Sequence, residues 1–288
     1  MEAKNSLFRK YFLDQSDFSQ NPEPVITLCY RETPEIDCER LQYQLSDFLA
    51  KNSTPHPVDA LEESHWQKKP ALLLSLAYNE HQIDIIGLKA PLSASVLQKC
   101  VQATGWNESF KEEFNRAQAY INFAYSGSST DAIEKYIALY QAASLLPQEN
   151  LIGVINEPAF NCHPGEAILD IVDEKMLDVA RQTPPLIYWS GFLRAILDNN
   201  QWLLTRGNHL FGLPDFALSF TPHTDPILVH EVFQDMFFYM YFENKAILPG
   251  DDISLDEELN FRILEPTEKQ QPLKGLGELF ILEPWNAK

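Results

Sequence analysis

Between Pro226 and Lys245 the chain reads PILVHEVFQDMFFYMYFENK, a helix-length run that is apolar on nearly every side. A helix of that kind is stable in water only when other elements cover it, so it is expected at the centre of a core. Its longest unbroken apolar stretch, Met236–Phe242, falls far short of the ~20 residues that a membrane span requires. The rest of the chain must therefore supply the covering layers. With 288 residues, 45% of them hydrophobic, and with 18 Phe and 11 Tyr, it has the material. Burying one Phe or Leu contributes roughly 1.5–3 kcal/mol, so such a core needs no covalent staples. Cys29, Cys38, Cys100 and Cys162 lie far apart, form no CxxC pair and read as buried free thiols in a reducing compartment.

The remaining elements follow from periodicity and punctuation. Val25–Tyr30 reads as a strand between Pro24 and Pro34, and Ile36–Leu49 as an amphipathic helix. Asn52–Lys69 reads as a surface loop and internal boundary. That division makes residues 1–65 an N-terminal strand–helix extension packed on an α+β domain over 66–288. Ala71–Ala77 and Gln82–Leu88 form a hairpin turning at Asn79-Glu80. Helices follow at Ser93–Val101, with Ser93 as its cap, and at Glu108–Arg116. Ala119–Tyr125 alternates as a strand. Thr130–Leu146 is a helix with Ala132, Ile133, Tyr136, Ile137, Tyr140 and Ala143 on one face, ended by Pro147. Leu151–Ile155 is a strand. Pro164–Gln182 contains one helix that turns Ile168, Ile171, Val172, Val179 and Ala180 inward and stops at Pro184-Pro185. Leu186–Leu197 and Gln201–Arg206 pair across Asp198-Asn199-Asn200, and Phe216–Phe220, Asn260–Leu264 and Glu278–Leu282 are further strands. The order predicts an α+β fold of mainly antiparallel mixed sheets with helices packed on one face, an arrangement that two ferredoxin-like halves would satisfy.

From Ser75 onward an ordered set of segments stands out. These are QIDIIGLKAPL, AYINFAYSGSSTDAIEKY running into ALYQAASLL, LIGVINEP, a strand ending in WSGFLRA, TRGNHLFGLPDFAL, and LPGDDISLDEELNFRI after the long helix. Over about residues 70–284 this set resembles the uncharacterised, largely bacterial family catalogued as domain of unknown function 4261. The resemblance implies one coherent fold and a bacterial source, and brings no activity or catalytic residue with it.

Charge narrows the partners. Lys+Arg number 22 against 41 Asp+Glu, a net −19. Nucleic acids and anionic membranes are repelled by such a surface, because affinity for them comes from Lys and Arg on phosphates. A basic protein partner is attracted and steered in. Met1–Phe18 mixes charges and lacks the apolar stretch of a signal peptide, so cytoplasmic residence is expected.

The densest acidic focus is Asp251, Asp252, Asp256, Glu257 and Glu258, whose spacing departs from the EF-hand loop. Charge runs are usually solvated, so a solvated loop is the first reading and a patch for a basic partner the second. His223, Asp225, His230 and Glu231 form the sharpest polar cluster, but His223 and His230 are not at the i, i+4 spacing that faces one ion, and helix capping explains His223 and Asp225 as well. Cys162-His163 and Arg206-Gly207 offer a thiolate pair and an anion contact, each with a structural alternative. Trp66, Trp106 and Trp285 fall in loops as interface anchors or core packing. Phosphate-binding glycine motifs and the GxSxG elbow are absent. The expectation is a non-catalytic, acidic protein-binding module with no cofactor, such as an immunity-type inhibitor or an effector adaptor. The alternative is a hydrolase or metal-dependent enzyme around His223, Asp225 and His230.

Overall fold

A computed structural model describes residues 23–36, 43–44, 47–48, 71–220, 225–254 and 260–284. Among these described residues, twelve strands form two six-stranded sheets. The first holds β1 (Val25–Tyr30), β2 (Ala71–Tyr78), β3 (His81–Leu88), β4 (Ala119–Tyr125), β5 (Leu151–Asn156) and β6 (Asn161–Pro164) in the order β2-β3-β4-β1-β5-β6. Every pairing in it is antiparallel. The second holds β7 (Gly191–Leu197), β8 (Asn200–Arg206), β9 (Asp215–Phe220), β10 (Asp252–Ser254), β11 (Asn260–Leu264) and β12 (Leu279–Pro284) in the order β10-β11-β12-β9-β8-β7. Only β9 and β12 run parallel. The fold is α+β with mainly antiparallel sheets, as the element order predicts.

Local chemistry explains most of the boundaries. The β7–β8 hairpin turns on Asp198 and Asn199, both at positive φ, as a two-residue loop between antiparallel strands requires. Helices α1 (Ala94–Val96), α2 (Glu108–Phe114), α3 (Ala132–Ser144) and α7 (Pro226–Tyr241) are capped by the side chains of Ser93, Asn107, Asp131 and Asp225. The Ser93–Val101 helix is broader than a plain α-helix, because α1 continues as the π-helix Leu97–Gln102.

Alternation sorts each strand between two layers. On β1, Ile26, Leu28 and Tyr30 enter one core, whereas Cys29 joins another on the opposite face with Cys100, Phe114 and Cys162. The first face is covered by α3 and by α4 (Ala167–Val172), α5 (Glu174–Gln182) and α6 (Leu186–Trp189). The second is covered by α2 and the π-helix. Helices therefore lie on both faces of this sheet, not on one.

The largest revision concerns the centre. The run at 226–245 is not enclosed. Only Val229, Val232, Phe233, Met236 and Phe237 of α7 are buried; the first four pack against the second sheet, and Phe237 joins the first core beside Phe211. Ile227 stays 69% exposed. The enclosed helix is α3, where nine of 13 residues are buried. Its alanines at 132, 138, 142 and 143 let neighbours approach from several sides. Of the helix read over 36–49, Tyr43, Gln44, Asp47 and Phe48 are helical and Ile36 is not, and the other residues lie outside those described. The loop read at 52–69, with Trp66, lies outside the described residues, as do His223 and Trp285.

Candidate functional site

The segment 164–190 departs most from its periodicity, and it builds the surface. The helix read through Pro164–Gln182 breaks at Asp173, whose backbone is extended and whose side chain accepts the Lys175 N–H at 3.0 Å. The break resets the helical phase. Ile168, Ile171 and Ala180 face the core as expected, but Val179 turns out to solvent. Pro164 itself ends strand β6. Residues 186–189 begin not a strand but the one-turn helix α6, because Tyr188 and Trp189 donate back to the Pro185 carbonyl at 2.9 and 3.3 Å. That turn brings Trp189 into the core, stacked on Tyr136 at 5.1 Å and 6°. Asn156 Nδ2 then donates to the Trp189 carbonyl at 2.9 Å and to Tyr136 Oη at 2.7 Å.

Two grooves flank α6. The first, about 560 Å³, runs along α4 and α5 and includes Leu169, Met176, Val179 and Tyr188. Leu169, Met176, Val179 and Ile187 are each about half exposed. The second, about 330 Å³, lies at the seam where the edge strands of the two sheets meet. Its lining includes Trp106, Asn161, Ile187, Phe192, Ile227 and His230. A bridge between Thr104 and Leu193 closes one side of this seam. Behind it, Phe192 and His230 also border a void of about 20 Å³ beside Ser190, Thr205 and Asn208, room for one water.

The seam is held by polar groups. Trp106 Nε1 donates to the Cys162 carbonyl at 2.6 Å, and Thr104 Oγ1 donates to the Val101 carbonyl at 2.7 Å. Asn161 Nδ2 donates to the carbonyls of Ile187 and Ser190, both at 2.9 Å. Trp106 is thus not a free anchor but packs against the core of Cys100, Phe114 and Cys162. It is half-buried and fixed by its N–H.

The sequence candidates separate. Asp225 caps α7 by accepting from Ile227 N at 2.9 Å, and His230 packs edge-on to Phe192 with ring centroids 5.2 Å apart. Burial holds the His230 pKa below its usual value, with Glu231 opposing. Among the described residues no group of three His, Cys, Asp or Glu could hold a metal ion.

Cys162 and His163 point to opposite faces of β6, as neighbours on a strand do. Burial pushes the Cys162 thiol up to about 12. His163 faces α3 and accepts from Tyr140 Oη at 2.6 Å through Nε2. Its Nδ1 donates to the Pro164 carbonyl at 2.9 Å. Cys29 and Cys100 are likewise buried, with thiols raised by desolvation.

Arg206 makes an internal contact. It donates to the carbonyls of Thr205 and Leu273 and lies 3.9 Å from the fully buried Asp215. At that separation desolvation outweighs the attraction, and the Asp215 carboxyl rises to about 7. Gly207 follows at φ 97°, where a Cβ would sit 2.5 Å from Ala159 Cβ.

In the acidic focus, Asp252 pairs with Arg262 through two contacts of 2.8 and 3.0 Å, and Asp251 accepts the Leu248 N–H at 2.8 Å. Asp256, Glu257 and Glu258 lie outside the described residues.

His163 gives a prediction. Burial lowers its pKa from 6.5 to about 4. Between those values the unfolded chain binds a proton that the folded chain refuses. The stability present above pH 6.5 is therefore lost as pH falls toward 4, by up to about 1.4 kcal/mol per pH unit. In urea unfolding across this window, His163→Gln is expected to show a lower midpoint at neutral pH but a shallower acid slope than the parent. Parallel slopes would reject the assignment.

Sequence reasoning missed Asn161, Ile187, Phe192 and Ile227 at the seam and Leu169 and Met176 on the helical face. Their one signal was apolar residues on short segments bounded by Pro184, Pro185 and Pro226. Compared with protein-family models, with curated proteins and with solved structures, the chain matches none.

Proposed function

We propose that the protein is a non-catalytic binding module for a basic protein partner, as an immunity-type inhibitor or an effector adaptor would be. One observation carries this reading: the half-exposed apolar residues Leu169, Met176 and Val179 line the 560 Å³ groove of α4–α6. Contiguous apolar surface rimmed by polar residues marks interaction sites, and a flexible methionine adapts to a partner's side chains.

The rim supplies the sign. Between residues 166 and 182, Glu166, Asp170, Asp173, Glu174 and Asp178 face only Lys175 and Arg181. Arg181 is already paired with Glu134 at 2.6 Å. On a chain of net charge −19, the complementary occupant is a basic amphipathic segment laid into the groove.

Immobilised protein is expected to retain one stoichiometric, basic partner from the source lysate and to release it as salt is raised. Met176→Glu with Val179→Glu is expected to lose that partner while changing stability by no more than about 0.5 kcal/mol, since both residues are at the surface. No stoichiometric partner, or equal retention by the double variant, would overturn the reading.

A further inference from the structure

The seam groove is a second site with different chemistry, on the other side of α6. Its walls are aromatic and aliphatic: Trp106, Phe192, Ile187, Pro226 and Ile227. Apart from His230, its side-chain hydrogen-bond donors are already committed. The Trp106 indole N–H goes to Cys162 O, the Thr104 hydroxyl to Val101 O, and the Asn161 amide nitrogen to two carbonyls. What stays open is an acceptor. Asn161 is only 4% exposed, and with its nitrogen fixed on both sides its Oδ1 has no hydrogen-bond partner among the described residues. The His230 ring contributes one acceptor and one donor. No lysine or arginine is among the lining residues. Asp225 and Glu231 flank Pro226, Ile227 and His230 along α7, on a chain of net charge −19.

A groove of acceptors and π faces, poor in free donors and held in a negative field, selects a ligand that brings donors and positive charge. We propose that the seam groove binds an organic cation, an ammonium or guanidinium on an apolar stem. The head is held by Asn161 Oδ1 and the Trp106 ring, and the stem lies against Ile187, Phe192 and Ile227. The volume of about 330 Å³ suits such a ligand. The Trp106 ring is set beforehand by its 2.6 Å bond to Cys162 O and by the edge of Phe110 at 5.5 Å. A free arylalkylamine and the side chain of a partner's lysine or arginine share this chemistry.

The test follows the Trp106 indole N–H by ¹⁵N-edited NMR during titration of the full chain. Tryptamine is expected to shift it saturably. Tryptophol, which has the same ring and a neutral hydroxyl, is expected to bind about 3- to 30-fold more weakly, the range that loss of a cation–π contact allows. N-acetyl-lysinamide and N-acetyl-argininamide are the second arm: tighter binding than tryptamine assigns the groove to a partner's side chain, weaker binding to a free amine. Gly105 provides a blocking variant, since a Cβ there meets nothing within 4 Å. Gly105→Leu should therefore fold and lose the tryptamine response. Equal binding of tryptophol and tryptamine, no saturable response to any of the cations, or an unchanged response in a folded Gly105→Leu protein would each overturn the proposal. Partner retention by the α4–α6 groove is read separately, so either result stands without the other.

Discussion

Removal of residues 1–30 is expected to abolish cooperative folding. The segment contributes β1, which lies inside the first sheet with β4 on one side and β5 on the other. Its Ile26, Leu28, Cys29 and Tyr30 are all fully buried. At roughly 1.5–3 kcal/mol for each large apolar side chain, their loss removes about 5–10 kcal/mol, comparable to the whole stability of a typical domain. It also leaves the facing ladder groups of β4 and β5 without partners. A protein beginning at residue 66 carries the same defect, because its sheet lacks the strand between β4 and β5. Near-UV circular dichroism and urea unfolding report the outcome: a dispersed aromatic signal with a sharp transition in the shortened chain would refute it.

Trp189→Ala is expected to be the most damaging single substitution at the site, at about 3–5 kcal/mol, or on the order of 10 °C in melting temperature. The indole is fully buried and stacked on Tyr136. It also anchors the one-turn helix whose Ile187 lines the seam groove and whose Tyr188 lines the helical groove. Loss of the ring frees α6, so both the tryptamine response and partner retention are expected to weaken along with stability. Trp189→Phe keeps an aromatic surface against Tyr136 and is expected to lose less than half as much. Thermal unfolding of the two variants beside the parent checks the ranking, and a melting temperature of Trp189→Ala within a degree of the parent would refute the anchoring role.

Much of the secondary structure was legible because its causes are local. Asp198-Asn199 marks a hairpin, since both residues tolerate positive φ. Asp131 marks a helix start by accepting from Ile133 N and Glu134 N at 2.8 and 3.3 Å. The alternation of Ala119, Ile121, Phe123 and Tyr125 marks a strand with one face inward, and all four are buried. The misread elements had weak local signals or distant partners. Strand β6 is a return of only four residues onto the adjacent β5, with Pro164 at its end. The helical turn at 186–189 is held by Trp189 meeting Tyr136, 53 residues away in sequence. The break at Asp173 is local in cause, but the periodicity on either side masked it.

The site was less legible than the fold. His230 and Trp106 were visible as single residues, yet the groove they share joins a loop, two strands and two helices from residues 104 to 230. His223, Asp225 and His230 read as a cluster because they are close along the chain, and His223 lies outside the described residues. In three dimensions Asp225 serves the helix that follows it, and His230 packs on Phe192 of the edge strand β7.

By itself the sequence determined the period, sign and punctuation of each segment: which stretches pair, which coil, and that the surface is acidic. Only the tertiary structure decided which apolar helix would be enclosed. The run at 226–245 is the more hydrophobic, but it buries only one stripe and keeps Ile227 and Phe242 at the surface, while the alanine-containing α3 is surrounded. The physical reason is that hydrophobicity measures what a segment gains by leaving water. Whether it leaves depends on which neighbours approach closely enough to cover it, and small side chains such as those at 138, 142 and 143 permit the closest approach.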